Sequence, residues 1–228
     1  MSTASDAAFS APAQLSEDVA RYVRRRIFNG IFPPGGYLRL DQLAGELGIS
    51  VTPVREALLN LRAEGLLELH PRRGFMVLKV TARDLADVAM VQAFVGGELA
   101  ARAAAVITAE QVAELTSIQD ALELAYRHTD VDRTVRLNHE YHRLINVIAD
   151  SPKLTQFMSG VTRYAPESVY PTLAGWPELS IRDHRRVIAA LAAGDSDAAR
   201  AAMAEHFTVG VEPLSAHLAE RGVISDPG

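Results

Sequence analysis

The chain has no cysteine in its 228 residues, which removes disulfides, thiolate metal sites and cysteine nucleophiles together. No window reaches about 18 consecutive apolar residues, so a membrane-spanning helix is excluded. The N-terminus has no basic region followed by an apolar stretch and does not read as a secretory signal. These absences predict a cytoplasmic protein. Metalloprotease His-Glu-x-x-His, the Gly-x-Ser-x-Gly nucleophile elbow and the phosphate-binding glycine loop are all missing, so the common catalytic signatures give no lead.

Charge is unevenly spread. Residues 15–80 hold 10 Lys/Arg against 7 Asp/Glu, whereas residues 81–228 hold 13 against 20, within an overall net charge of −5. A basic segment beside an acidic one is a recognised sign that the basic part meets an anion, although a solvated basic face reads the same way.

Residues 1–14, rich in Ser, Ala and Pro, predict a disordered tail. Ser16, Glu17 and Asp18 then suit a helix start, with Val19, Val23 and Ile27 as the buried stripe and Asn29-Gly30 as the stop. A short helix over Leu40–Leu47 follows. Gly48 makes a sharp turn, and Ser50 or Thr52 caps a second helix that reaches Arg62, with Pro53 in its first turn. Leu66–Leu69 and Phe75–Val80 read as two strands around Pro71-Arg72-Arg73-Gly74. Residues 15–80 therefore predict a winged helix-turn-helix.

Beyond Thr81 only helices are predicted, over residues 84–105, 108–128, 131–149, 152–164, 179–193 and 195–220. Thr81 with Asp84, and Thr108 with Gln111, have capping-box spacing. The fold class is mainly α: a winged helix-turn-helix, then an antiparallel all-helical bundle of about six helices over residues 81–222.

In a helix-turn-helix the start of the second helix meets base edges while flanking cations hold phosphates. The candidates are Arg39, Ser50, Val51, Thr52 and Arg55, with Arg72, Arg73 and Gly74 at the wing tip. Arg55 can fork onto a guanine or a phosphate. It can equally pair with Glu56, while Ser50 and Thr52 merely cap. In the helical half, Asn138 and His142 lie one turn apart, and His184 and His206 share faces with apolar residues. Three imidazoles and an amide oxygen inside a bundle suit a divalent ion such as zinc, nickel or manganese; hydrogen-bonded core histidines explain the same pattern. His70, His128, His139 and His217 fall at element ends or on outer faces and carry no functional expectation.

The run Gly30-x-x-Pro33-Pro34-Gly35, Leu47-Gly48-Ile49-Ser50, Thr52-Pro53-Val54-Arg55-Glu56-Ala57-Leu58, Glu64-Gly65-Leu66 and Arg73-Gly74-Phe75 closely resembles the GntR family of bacterial regulators. Asn138-x-x-Tyr141-His142, Asp183-His184-x-x-Val187-Ile188, Gly194-Asp195 and Met203-x-x-x-Phe207 around His206 resemble the FCD effector domain of its FadR/FCD subfamily, in the shorter, six-helix branch. The resemblance implies a homodimer on a palindromic double-stranded DNA operator. It further implies a divalent metal held by Asn138, His142, His184 and His206, and a small carboxylate effector received there, with Glu98, Arg143 and Arg163 as candidate effector contacts. Two departures stand out. Val51 occupies a position where the family commonly has a base-contacting arginine, and Asn138 stands where the first metal ligand is most often aspartate.

A ligand-responsive transcription regulator, read as a repressor rather than an activator, is thus the leading reading. A metal-dependent hydrolase with a DNA-binding appendage and a ligand-independent DNA-binding protein are the alternatives.

Overall fold

The computed structural model describes residues 10–164 and 167–225. These form two compact units: one runs to Val80 and includes the chain end from Leu218, and the other spans Thr81–His217. Residues 218–222, assigned from sequence to the helical domain, therefore lie with the first unit.

The first unit opens with α1 (Ser10–Phe28). Residues 10–14 are helical, contrary to the disordered tail expected there; residues 1–9 lie outside the described residues. Ala11, Ala13 and Gln14 favour helix, and Pro12 falls in the first turn, where its missing N–H costs no bond. Ser16 is thus an interior residue rather than a cap. The expected stripe holds, since Val19, Val23 and Ile27 are all buried.

Then come β1 (Tyr37–Leu38), α2 (Leu40–Leu47), α3 (Val51–Ala63), β2 (Leu67–His70) and β3 (Gly74–Val77). The sheet has three strands, in the order β1-β3-β2. Sequence missed β1, a two-residue element that exists only because Tyr37 pairs with Met76 and Leu38 with Phe75. The second predicted strand is also shorter than expected. It stops at Val77, and Val80–Thr81 forms a separate strand, β4, paired with β5 (Ile224–Ser225). Val54, Leu58 and Leu61 bury one face of α3 against α1. The contact is pinned by Arg24, which places two guanidinium nitrogens on the Glu64 carboxylate at 2.8 and 3.1 Å, with both side chains about nine-tenths buried.

The second unit contains α4 (Ala82–Ala104), α5 (Ala109–Arg127), α6 (Val131–Ile148), α7 (Pro152–Thr162), α8 (Trp176–Ala192), α9 (Ser196–Val209) and the start of α10 (Val211–Glu220). Both expected capping boxes are present, at Thr81/Asp84 and Thr108/Gln111. The predicted helix over residues 195–220 is two helices, broken at Gly210. A Cβ there would lie 2.5 Å from the Trp176 ring and 2.7 Å from the Tyr170 ring. Pro213, which has no N–H to continue the helix, falls in the first turn of α10.

Gly96 and Gly97, costly in mid-helix, let α4 and α9 approach. A Cβ on Gly97 would sit 3.0 Å from the Arg200 carbonyl, and one on Gly96 would sit 2.4 Å from the Phe207 ring. The space is taken by a helix. Leu99, Leu115, Leu122, Tyr141, Ile145, Val187, Leu191 and Met203 form the core. Among the described residues no helix is long and apolar enough to cross a membrane.

Removing one member of a buried ion pair strands the other without water. Glu64→Ala is expected to destabilise the first unit by about 3–5 kcal/mol in urea unfolding. The double variant Arg24→Met/Glu64→Leu should recover most of that loss; a double variant no more stable than the single one would contradict this account.

Candidate functional site

Gly48, at φ 67°, turns the chain between α2 and α3. Ser50 occupies the N-cap position of α3 in extended backbone but makes no side-chain cap bond, so its exposed hydroxyl is not spent on the helix. Arg39, Thr52 and Arg55 are also exposed, and Val51 is half-buried. In the hairpin His70 pairs with Gly74, and Arg72 takes a left-handed conformation (φ 66°) that throws Arg72 and Arg73 outward at the tip. Gly74 has a structural duty of its own, because a Cβ there would lie 2.5 Å from the Leu38 carbonyl where β1 crosses β3.

In the helical unit, His142 on α6, His184 on α8 and His206 on α9 converge, one ring nitrogen from each lying within 4.8 Å of the others. His184 Nε2 is 3.3 Å from His206 Nε2, and His184 Nδ1 is 2.7 Å from Gln119 Oε1 on α5. Tyr141 stacks on the His184 ring at 4.0 Å and donates its hydroxyl to the His184 carbonyl. His142 Nε2 and His206 Nδ1 are buried with no hydrogen-bond partner among the described residues. His142 as a residue is only half-buried, but its ring tip is closed to water, and that tip is what matters for ligation.

Burial lowers the pKa of all three imidazoles. The effect is reinforced at His142 and His184 by the neighbouring histidines and partly opposed at His206 by Asp183, which leaves His206 near about 4. The three rings are therefore neutral at physiological pH, the form in which imidazole ligates metal. Among the described residues they are the one His/Asp/Glu group of this kind.

The other expected residues are placed as follows. Asn138 is half-buried, one helical turn before His142. Glu98 is engaged by Arg102 at 2.9 Å and Arg200 at 3.2 Å, and those hydrogen bonds hold its carboxyl below the usual range. Arg143 and Arg163 are exposed. His139 contacts Glu167 on the surface. Sequence reasoning missed Gln119. Its signal was a polar residue within the apolar stripe Leu115, Ile118 and Leu122, and the structure buries it fully.

Comparison with known proteins gives the same division of the chain. The model of bacterial regulatory proteins of the gntR family matches residues 15–77, and the FCD domain model matches residues 87–209, ending where α9 ends. The chain belongs to the GntR family and carries an FCD domain. It is a transcriptional regulator with a DNA-binding helix-turn-helix, and its relatives are regulators rather than enzymes. It is 26% identical to the HTH-type transcriptional repressor RspR of Escherichia coli (strain K12), over 85% of this chain and 86% of that one. It is likewise 26% identical to the probable D-xylose utilization operon transcriptional repressor of Paenarthrobacter nicotinovorans, over 89% of each chain. The solved structure of E. coli McbR/YncC superposes with a TM-score of 0.70 at 26% identity, covering 89% of this chain and 98% of that one.

The histidine shifts have a signed consequence. Unfolded histidines take up protons near pH 6.5 while the buried ones resist, so the unfolded state binds more protons and acidification favours it. Stability of the metal-free protein should be fully present above about pH 6.5 and fall steadily towards pH 4, the folded value for His206. Thermal melts across that range check this; a flat profile would contradict it.

Proposed function

We propose that this protein is a ligand-responsive repressor. Two copies bind a palindromic operator through α3 and the wing, and a small organic acid received at a divalent metal centre in the helical domain changes operator affinity. The functional division is residues 15–80 for DNA and 81–217 for the effector. The observation that carries the sensing half is the meeting of three neutral, water-excluded imidazoles, two of them with an unpartnered buried nitrogen.

That donor set fits a borderline divalent ion, zinc or nickel, better than the harder manganese. His142, His184 and His206 would hold it, with Asn138 as the fourth donor. A bound ion would supply the positive charge that a carboxylate oxygen seeks. Because Asn138 contributes a neutral oxygen where an aspartate would contribute charge, the centre holds metal less tightly but stays more positive towards an anionic effector. The exposed Arg143 and Arg163 are the cations left for the rest of the effector, since Glu98 is already committed to Arg102 and Arg200.

Two further features support the reading. Arg39, Arg55, Arg72 and Arg73 have no ion pair among the described residues and stand free for phosphate or base contacts. On α4, Met90, Val91 and Phe94 are exposed, Phe94 at 77%, an apolar stretch of the kind a homodimer buries. Two of the relatives are named as transcriptional repressors, one of them as a probable one.

Metal analysis of untagged protein by mass spectrometry tests the sensing half. The expectation is near one divalent ion per chain, lost in His184→Ala while operator binding persists; no metal after loading with zinc, nickel or manganese would sink it. For the DNA half, Arg55→Ala should lose about 1–3 kcal/mol of operator binding in a gel-shift titration, and unchanged binding would dismiss a base contact.

A further inference from the structure

Gln119 is buried at 0% exposure, an unusual place for an amide unless both its ends are engaged. Its Nε2 donates to Glu123 Oε1 at 3.2 Å, one turn along α5. The same oxygen accepts from Arg185 Nε at 2.8 Å, and Arg185 also reaches Asp120. An ionised carboxylate only accepts, so the end of Gln119 that faces Glu123 must be the NH2 group. The end that faces His184 is then the carbonyl, which also only accepts. At 2.7 Å from that carbonyl, His184 Nδ1 has to carry a proton. In a neutral ring the lone pair then falls on Nε2, the nitrogen 3.3 Å from His206 Nε2. A neutral imidazole free in water favours the opposite tautomer, with the proton on Nε2. That tautomer would point an N–H into the middle of the histidine cluster.

We infer that Gln119, oriented by the Glu123–Arg185 pair, is a positioning residue that fixes His184 as the Nδ1–H tautomer and so turns an unprotonated Nε2 towards His142 and His206. The chain of bonds runs from the surface on α8, through α5, and back to α8 at the adjacent residue: Arg185, Glu123, Gln119, His184. It holds ring orientation and tautomer at once, as outer partners of metal-bound histidines do. The consequence for affinity rests on the metal-centre reading; the tautomer does not.

The test uses the full-length protein, nitrogen-15 labelled and freed of metal by a chelator, at neutral pH. Long-range proton–nitrogen spectra of the imidazoles, with His184→Ala to identify the signals, read the tautomer directly. The wild type should show His184 with its proton on Nδ1; a proton on Nε2 overturns the inference. Gln119→Leu, close in size but without an acceptor, should shift His184 towards the Nε2–H form and weaken zinc by about 10–100-fold in competition with a chelating dye. The double variant Gln119→Glu/Glu123→Gln, which keeps an acceptor towards His184 and turns the donor to the other side of the pair, should hold the wild-type tautomer and bind zinc within a few-fold of wild type. If Gln119→Leu keeps both tautomer and zinc affinity, the role is merely structural and the inference fails. If Gln119→Leu does not fold, the wild-type and Gln119→Glu/Glu123→Gln spectra still decide. A wild type with the Nδ1–H tautomer that takes up no zinc, nickel or manganese supports the positioning role and rejects the metal centre instead.

Discussion

Three imidazoles packed away from water must each find something for two ring nitrogens, and the helical unit is arranged around that demand. Each unpaired buried nitrogen costs about 1–3 kcal/mol of lost hydration. Histidines are tolerated in a core only where neighbours or a ligand return what water gave. Here α5 supplies Gln119 to one nitrogen of His184, and α6 supplies Tyr141, stacked on the same ring and bonded to its backbone. Among the described residues nothing answers His142 Nε2 and His206 Nδ1. A core that satisfies one ring with a dedicated amide and leaves two others open carries a deficit that an apolar residue at each position would avoid, and the proposed metal would relieve it.

The same demand accounts for features that look unrelated. His206 reaches the cluster because α9 lies hard against α4, and α9 lies there because Gly96 and Gly97 remove the side chains that would hold it off. Phe207, whose ring closes over the Gly96 backbone, is also a neighbour of the His142 and His206 rings. The break after α9 belongs to the same packing. Gly210 admits Trp176 and Tyr170 against the backbone, and the Trp176 ring in turn approaches His206. Glycines that weaken individual helices thus let aromatic rings close round the cluster.

How much of this was legible in one sequence depended on the span of each interaction. Thr81/Asp84 and Thr108/Gln111 act across three residues, so their spacing announced them. Helix stripes and the Arg72-Arg73-Gly74 turn are local in the same sense. The cap expected from Ser50 failed although its position was right, because a hydroxyl at the N-cap is free to rotate away from the helix. The strand β1 depends on β3, far along the chain, and two residues carry no period of their own. Gly210 followed by Pro213 was a readable break that helix continuity on either side concealed. The three histidines were nominated from family resemblance; their convergence is a tertiary fact. Gln119 had a signal, a polar residue in a leucine stripe, but its partner His184 lies on another helix.

The arginines bear on how one acidic chain would serve two anions, DNA and the proposed effector. In the helical unit Arg102, Arg182, Arg185, Arg186 and Arg200 are each spent on neighbouring carboxylates. An arginine in that state must break an existing bond before it can hold a phosphate, so it offers little net attraction. Arg39, Arg55, Arg72 and Arg73 have no such bond to break among the described residues, and exchange only water and counterions. The surplus of 10 Lys/Arg over 7 Asp/Glu in residues 15–80 therefore understates the charge available to DNA, because what counts is the number of cations left unpaired. The converse holds inside the helical unit. With those five arginines committed and acids in excess, an effector of the proposed anionic kind would depend on the exposed Arg143 and Arg163 and on a cation held by neutral ligands. Three imidazoles and an asparagine, none of which cancels that cation's charge, are donors of the required kind.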